Sequence, residues 1–214
     1  MGAMFFNFVW PFIVSSDFSE NEGQVGVSIM IQPAGYCFSI WFVIYSLIAV
    51  FVVYQALPDA WVPNRSDEVI FEKVGLLFAG NMALNGLWLV IFSQFGTVWY
   101  VLGGIEIVFL TVTTVWIMMI TTRNKLSWTE IIGLRSAFSI YGGWLTAATI
   151  LNISIILKDL GMNDTSENMV LTEEIWTAIM LWVAFAVYLT ATLTEKNPLF
   201  GAIYVWVLIG LIVE

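Results

Sequence analysis

Three apolar stretches of this 214-residue chain carry aromatic and polar side chains at helical spacing. Phe38, Trp41 and Tyr45 recur along the first, Asn81, Asn85 and Trp88 along the second, and Tyr141, Trp144, Ala148 and Asn152 along the third. Residues three, four or seven apart share one face of a helix. Aromatic walls with a few convergent polar atoms are what a flat apolar ligand needs. The same residues would also serve as packing and interhelical hydrogen bonds, worth about 1 kcal/mol each in a membrane, and the spacing favours that plainer use. Glu106 lies in the middle of another apolar run, within Leu-Gly-Gly-Ile-Glu-Ile-Val. A carboxyl group at membrane depth can relay protons or bind a cation. With no second acid or His nearby, a protonated Glu106, or one paired with a neighbouring Asn or Tyr, is the simpler expectation.

Other chemistries are excluded. The chain has no His and one Cys, so it forms no internal disulfide and offers no usual ligand set for zinc, copper or haem iron; no metal site is expected. There is no Ser-His-Asp or Cys-His set, no phosphate-binding glycine loop and no carboxylate pair, so no catalytic residues are assigned and an enzyme is not expected. A retinal Schiff base needs a buried Lys, and none lies mid-span. A net charge of −9 argues against nucleic acid.

The elements that must position these residues follow from composition. The chain is 60% hydrophobic and only 11% charged, with eleven Trp and a mean hydropathy of +0.89. Soluble chains carry about 25% charged residues, so this is an integral, multi-pass membrane protein. About 20 apolar residues cross a bilayer. The apolar runs predict helices over about 34–56, 69–93, 97–120, 128–157 and 173–194, with shorter ones over 1–14 and 199–213. That gives an all-α bundle of about seven transmembrane helices in a single domain, 1–214. The run 128–157 is its centre, because Gly142, Gly143, Ala147 and Ala148 let neighbours approach closely.

Charge sets the topology. Arg65, Lys73, Arg123, Lys125, Arg135 and Lys196 fall on one predicted side and only Lys158 on the other, so the positive-inside rule places the six inside. Arg135 is expected to snorkel to that interface. Trp61, Trp99, Trp128 and Trp176 lie near span ends, as interfacial anchors do. Asn163-Asp-Thr165 is an acceptor sequon on the outer side. Which membrane is crossed is not legible.

The pattern Tyr141-x-x-Trp144-x-x-x-Ala148-x-x-x-Asn152, with Leu84-Asn85-x-x-Trp88, Trp41-x-x-x-Tyr45 and Pro33 eight residues before Trp41, resembles the tryptophan-rich sensory protein family, TspO/MBR. The chain departs from it at Ile140, where the family has Pro, and at Phe38-Ser-Ile in place of Phe-Gly-Pro. It also lacks the family's Trp- and Lys-rich loop. The resemblance implies a five-helix core over about 1–157, with helices 173–194 and 199–213 added. It further implies a pocket at Trp41, Tyr45, Asn85, Trp88, Tyr141, Trp144, Ala148 and Asn152. The implied ligand is a non-covalent tetrapyrrole, sterol, carotenoid or other lipid. Porphyrin breakdown, attributed to the family, is not carried over without that loop.

The function expected is a non-enzymatic binding or sensory role for such a ligand. A structural subunit of a larger membrane complex is the alternative, and a transporter using Glu106 a weaker one. Partners are membrane lipids, with a homodimer or larger assembly open.

Overall fold

In hydrocarbon every backbone N–H and C=O must find its partner within the chain, so long apolar runs become helices. The computed structural model describes residues 29–94, 96–161 and 172–213. The expected helix 1–14, most of the loop that follows it, and the Asn163 sequon lie outside these residues. Among the described residues five helices are long and apolar enough to cross a membrane: α1 (Gly35–Gln55), α2 (Glu68–Phe92), α3 (Thr97–Arg123), α4 (Trp128–Asp159) and α5 (Glu173–Thr194). A shorter apolar helix, α6 (Pro198–Val213), follows. The bounds agree with the apolar runs to within about three residues. The protein is an all-α, multi-pass membrane protein.

Helix α4 is the centre, as its small residues suggest. It packs against α1, α3 and α6 and touches α5. Helix α2 is held mainly through α3. Gly143 shows why small residues matter here. A Cβ at that position would lie 2.8 Å from Ile203 and 3.0 Å from the Phe200 carbonyl, both on α6. Tyr188 of α5 donates to the Gly143 carbonyl, and Asn197 donates to Ser139 Oγ over 2.7 Å. The C-terminal helix pair is therefore bonded, not merely stacked, onto α4.

Polar side chains finish the helix ends. Ser127 and Glu130 form a capping box at the start of α4, a motif that satisfies two orphan N–H groups at once. Arg135, expected to snorkel, donates its guanidinium N–H groups to the Thr121 and Asn124 carbonyls at the loop end of α3, both at 2.9 Å. It neutralises the negative end of α3 from the side of α4.

The bonds also collect the cations at one end. Ser66 of the α1–α2 loop bonds to Glu130, Lys73 to Asn124 and Arg123 to Glu195. Arg65 is clasped by Asp59 and Asp67 and donates to the Leu57 carbonyl over 2.7 Å. The single cation at the other end, Lys158, pairs with Glu173 at 2.8 Å. The six-to-one division read from the sequence is a feature of the folded bundle.

Candidate functional site

Helical spacing sends Trp41 and Tyr45 of α1, Asn85 and Trp88 of α2, and Tyr141 and Trp144 of α4 into the same interior volume. All six are buried. Tyr45 Oη donates to Asn85 Oδ1 over 2.8 Å, and Asn85 Nδ2 donates to Tyr141 Oη over 2.7 Å. One amide thus joins three helices. Its hydrogen bonds run through a region where an unpaired polar group is costly.

The rings close around this chain of bonds. Trp41 is the hub. It stacks on Tyr45 with centroids 5.4 Å apart and meets Tyr141 edge-on at 5.6 Å. It reaches Trp88 at 6.3 Å and Trp144 at 6.5 Å. These separations lie within the range of favourable aromatic pairs. Tyr141 and Trp144 keep only 1% and 2% of their surface exposed, so the rings fill the volume with one another. The indole Nε1 of Trp88 has no hydrogen-bond partner among the described residues.

Two expected members behave differently. Ala148 is half-buried and packs against the cluster. Asn152 is not brought to the rings. Its Nδ2 donates to its own helix, at the Ala148 carbonyl over 2.8 Å, and its carbonyl end faces Gly103 of α3. Nearly three turns separate it from Tyr141, and at that level α4 faces α3 rather than α1. Asn81 also points elsewhere, donating to Thr113 and Thr114 of α3 at 2.8 Å.

One aromatic member comes from outside the residues singled out in the sequence: Phe92 stacks on Trp88 at 4.6 Å. Phe38, on the same face as Trp41 and Tyr45, meets Trp144 edge-on at 5.3 Å. Phe92 lies four residues after Trp88, and that spacing was a usable signal. Glu106 of α3 is 6% exposed. Neither carboxyl oxygen has a hydrogen-bond partner among the described residues, so the expected pairing with Asn or Tyr is not made. Separately, a groove of about 730 Å³ opens between α2 and α3, lined by Leu76, Gly80, Leu84, Leu87 and Trp116 with Asn81 beside them. Among the described residues no group of His, Cys, Asp and Glu is placed to hold a metal ion.

A family model described as TSPO-like protein matches residues 1–214. The chain belongs to the TSPO-like protein family. The match takes in α5 and α6 as well as the helices that carry the aromatic cluster. No curated protein and no solved structure gives a significant match. In this TSPO-like chain Trp41, Tyr45, Asn85, Trp88, Tyr141 and Trp144 form one contiguous group, with Ala148 at its edge and Asn152 apart.

Proposed function

We propose that this TSPO-like protein is a non-enzymatic membrane protein that binds a flat, hydrophobic ligand at the Trp41–Trp88–Trp144 cluster. The observation that supports this reading is the indole N–H of Trp88, which is buried without an acceptor among the described residues, beside an already satisfied Tyr45–Asn85–Tyr141 chain. Buried polar groups in native structures almost always have partners, and a ligand oxygen or ring nitrogen would supply this one. The surrounding rings offer stacking faces. Tetrapyrroles, sterols and carotenoids fit this chemistry.

Ligand entry requires Trp41 to turn aside, because its ring touches four others of the cluster. The test is a titration of the protein in lipid nanodiscs with protoporphyrin, followed by quenching of tryptophan fluorescence. Saturable binding is expected, with an affinity loss on the order of tenfold for Trp88→Phe, the cost of about one buried hydrogen bond, and a loss for Asn85→Ala as well, because that change releases the Tyr45 and Tyr141 rings from their common anchor. Equal affinities in wild type and both variants would overturn the assignment.

A second reading is a scaffold subunit of a larger membrane complex. The mutual packing of the rings supports it, since a filled volume stabilises a bundle without any ligand. Native mass spectrometry of gently extracted protein separates the two. A bound small molecule on a small oligomer supports the first reading, and a large, ligand-free assembly supports the second.

A further inference from the structure

Glu106 sits on the ninth position after Thr97, deep within the 27-residue helix α3. Its neighbours along the same face fix where it points. One turn before it, a Cβ on Gly103 would lie 3.5 Å from Ile91 of α2 and 3.9 Å from Asn152 of α4. One turn after it, the Leu110 carbonyl accepts from Asn81 of α2 over 3.3 Å, and Thr111 bonds to Thr149 of α4 over 2.9 Å. Glu106 is bracketed by these two layers. It therefore faces the seam where α2 and α4 meet α3, level with the Asn85–Trp88 turn and the Ala148–Asn152 turn.

The acid thus lies level with Asn85 and Trp88 of the cluster, and among the described residues neither of its oxygens has a hydrogen-bond partner. A buried carboxylate without a counter-charge is among the costliest groups in a membrane interior. A cation beside aromatic faces is stabilised twice, by the carboxylate and by the ring quadrupoles. A neutral hydroxyl offers one hydrogen bond and no charge.

We propose that Glu106 is the counter-ion for a lipophilic organic cation, whose flat apolar body lies against the tryptophan cluster and whose protonated nitrogen meets the Glu106 carboxylate. This rests on the ligand-binding reading above and names the class of ligand: a hydrophobic amine rather than a neutral sterol or lipid. Nitrogen N–H groups donate to the two acceptors that the protein leaves open. The Trp88 indole remains available to an acceptor on the ligand body.

The experiment compares two isosteric probes, 1-pyrenemethylamine and 1-pyrenemethanol, bound to the full chain in phosphatidylcholine nanodiscs. Energy transfer from tryptophan to pyrene, corrected with empty nanodiscs, reports saturable binding. The amine is expected to bind at least tenfold more tightly than the alcohol. Glu106→Gln should abolish that preference, and an unchanged far-UV circular dichroism spectrum and thermal midpoint show that the variant is folded. Glu72→Gln, which removes an exposed acid, should keep the preference and so excludes a general surface-charge effect. Equal binding of both probes by the wild type overturns the inference, as does a preference that survives Glu106→Gln; the ligand-binding reading then still stands. Failure of the amine to bind saturably also overturns it, and the protoporphyrin titration then decides the broader reading by itself.

Discussion

The carboxylate of Glu130 accepts both the backbone N–H and the hydroxyl of Ser66, 64 residues earlier, each over 2.7 Å. It also accepts from the Ser127 N–H at 2.7 Å and from Tyr54 Oη at 3.2 Å. One fully buried side chain thus ties together the end of α1, the α1–α2 loop and the start of α4. Glu130→Ala would leave these donors without their acceptor. The expected cost is at least about 3 kcal/mol, since bonds to a charged group contribute about 1.5–3 kcal/mol each. Glu130→Gln keeps an acceptor oxygen and should fall between. Thermal unfolding in mild detergent checks both, with an unchanged midpoint for Glu130→Ala counting against the clasp.

The α4–α6 contact is the place where a single methyl group should matter. Gly143→Ala puts a Cβ within 2.8 Å of Ile203, and overpacking of this kind costs roughly 1–3 kcal/mol. Ile203→Ala made in the Gly143→Ala background should recover part of the loss. A double-mutant cycle reads this directly, because coupling appears only between residues that touch. Purely additive effects would show that α6 does not press on Gly143.

The clustering of cations predicts which loops share a membrane face. Cys37, the chain's one cysteine, is buried with 0% exposure, so single introduced cysteines can be labelled against a low background. Lys125→Cys and Lys196→Cys should react with an impermeant maleimide from one face of sealed vesicles, and Leu160→Cys from the opposite face. Reaction of all three from the same side would break the helix order described here.

Much of this was written in the sequence because bilayer physics is restrictive. A run of apolar residues has no alternative to helix, so α1 to α5 could be bounded closely from composition alone. Faces were equally legible. Trp41 and Tyr45, like Asn85 and Trp88, sit one turn apart and must point together. What periodicity does not carry is which neighbour a face meets. Tyr141 and Asn152 share a stripe on α4, yet one meets α1 and α2 while the other meets α3. Nor does it carry rotamers. No spacing in the sequence marks the Thr121 and Asn124 carbonyls of α3 as the acceptors of Arg135. The Glu130 clasp had only its local Ser127 half visible, since nothing in the spacing names a partner 64 residues away.

The central place of α4 has a consequence for how the chain is made. Its helix is synthesised after α1, α2 and α3, yet it supplies the surface on which α1 and α3 pack. Until α4 enters the bilayer, Trp41, Tyr45, Asn85 and Trp88 lack Tyr141 and Trp144 in their midst. During that interval Asn85 has Tyr45 as a donor but lacks Tyr141 as an acceptor. The Glu106 side of α3 is likewise uncovered. A bundle of α1, α2 and α3 without α4 therefore leaves polar groups short of their partners. Arrival of the Tyr141 turn completes the ring cluster and ends that exposure in one step.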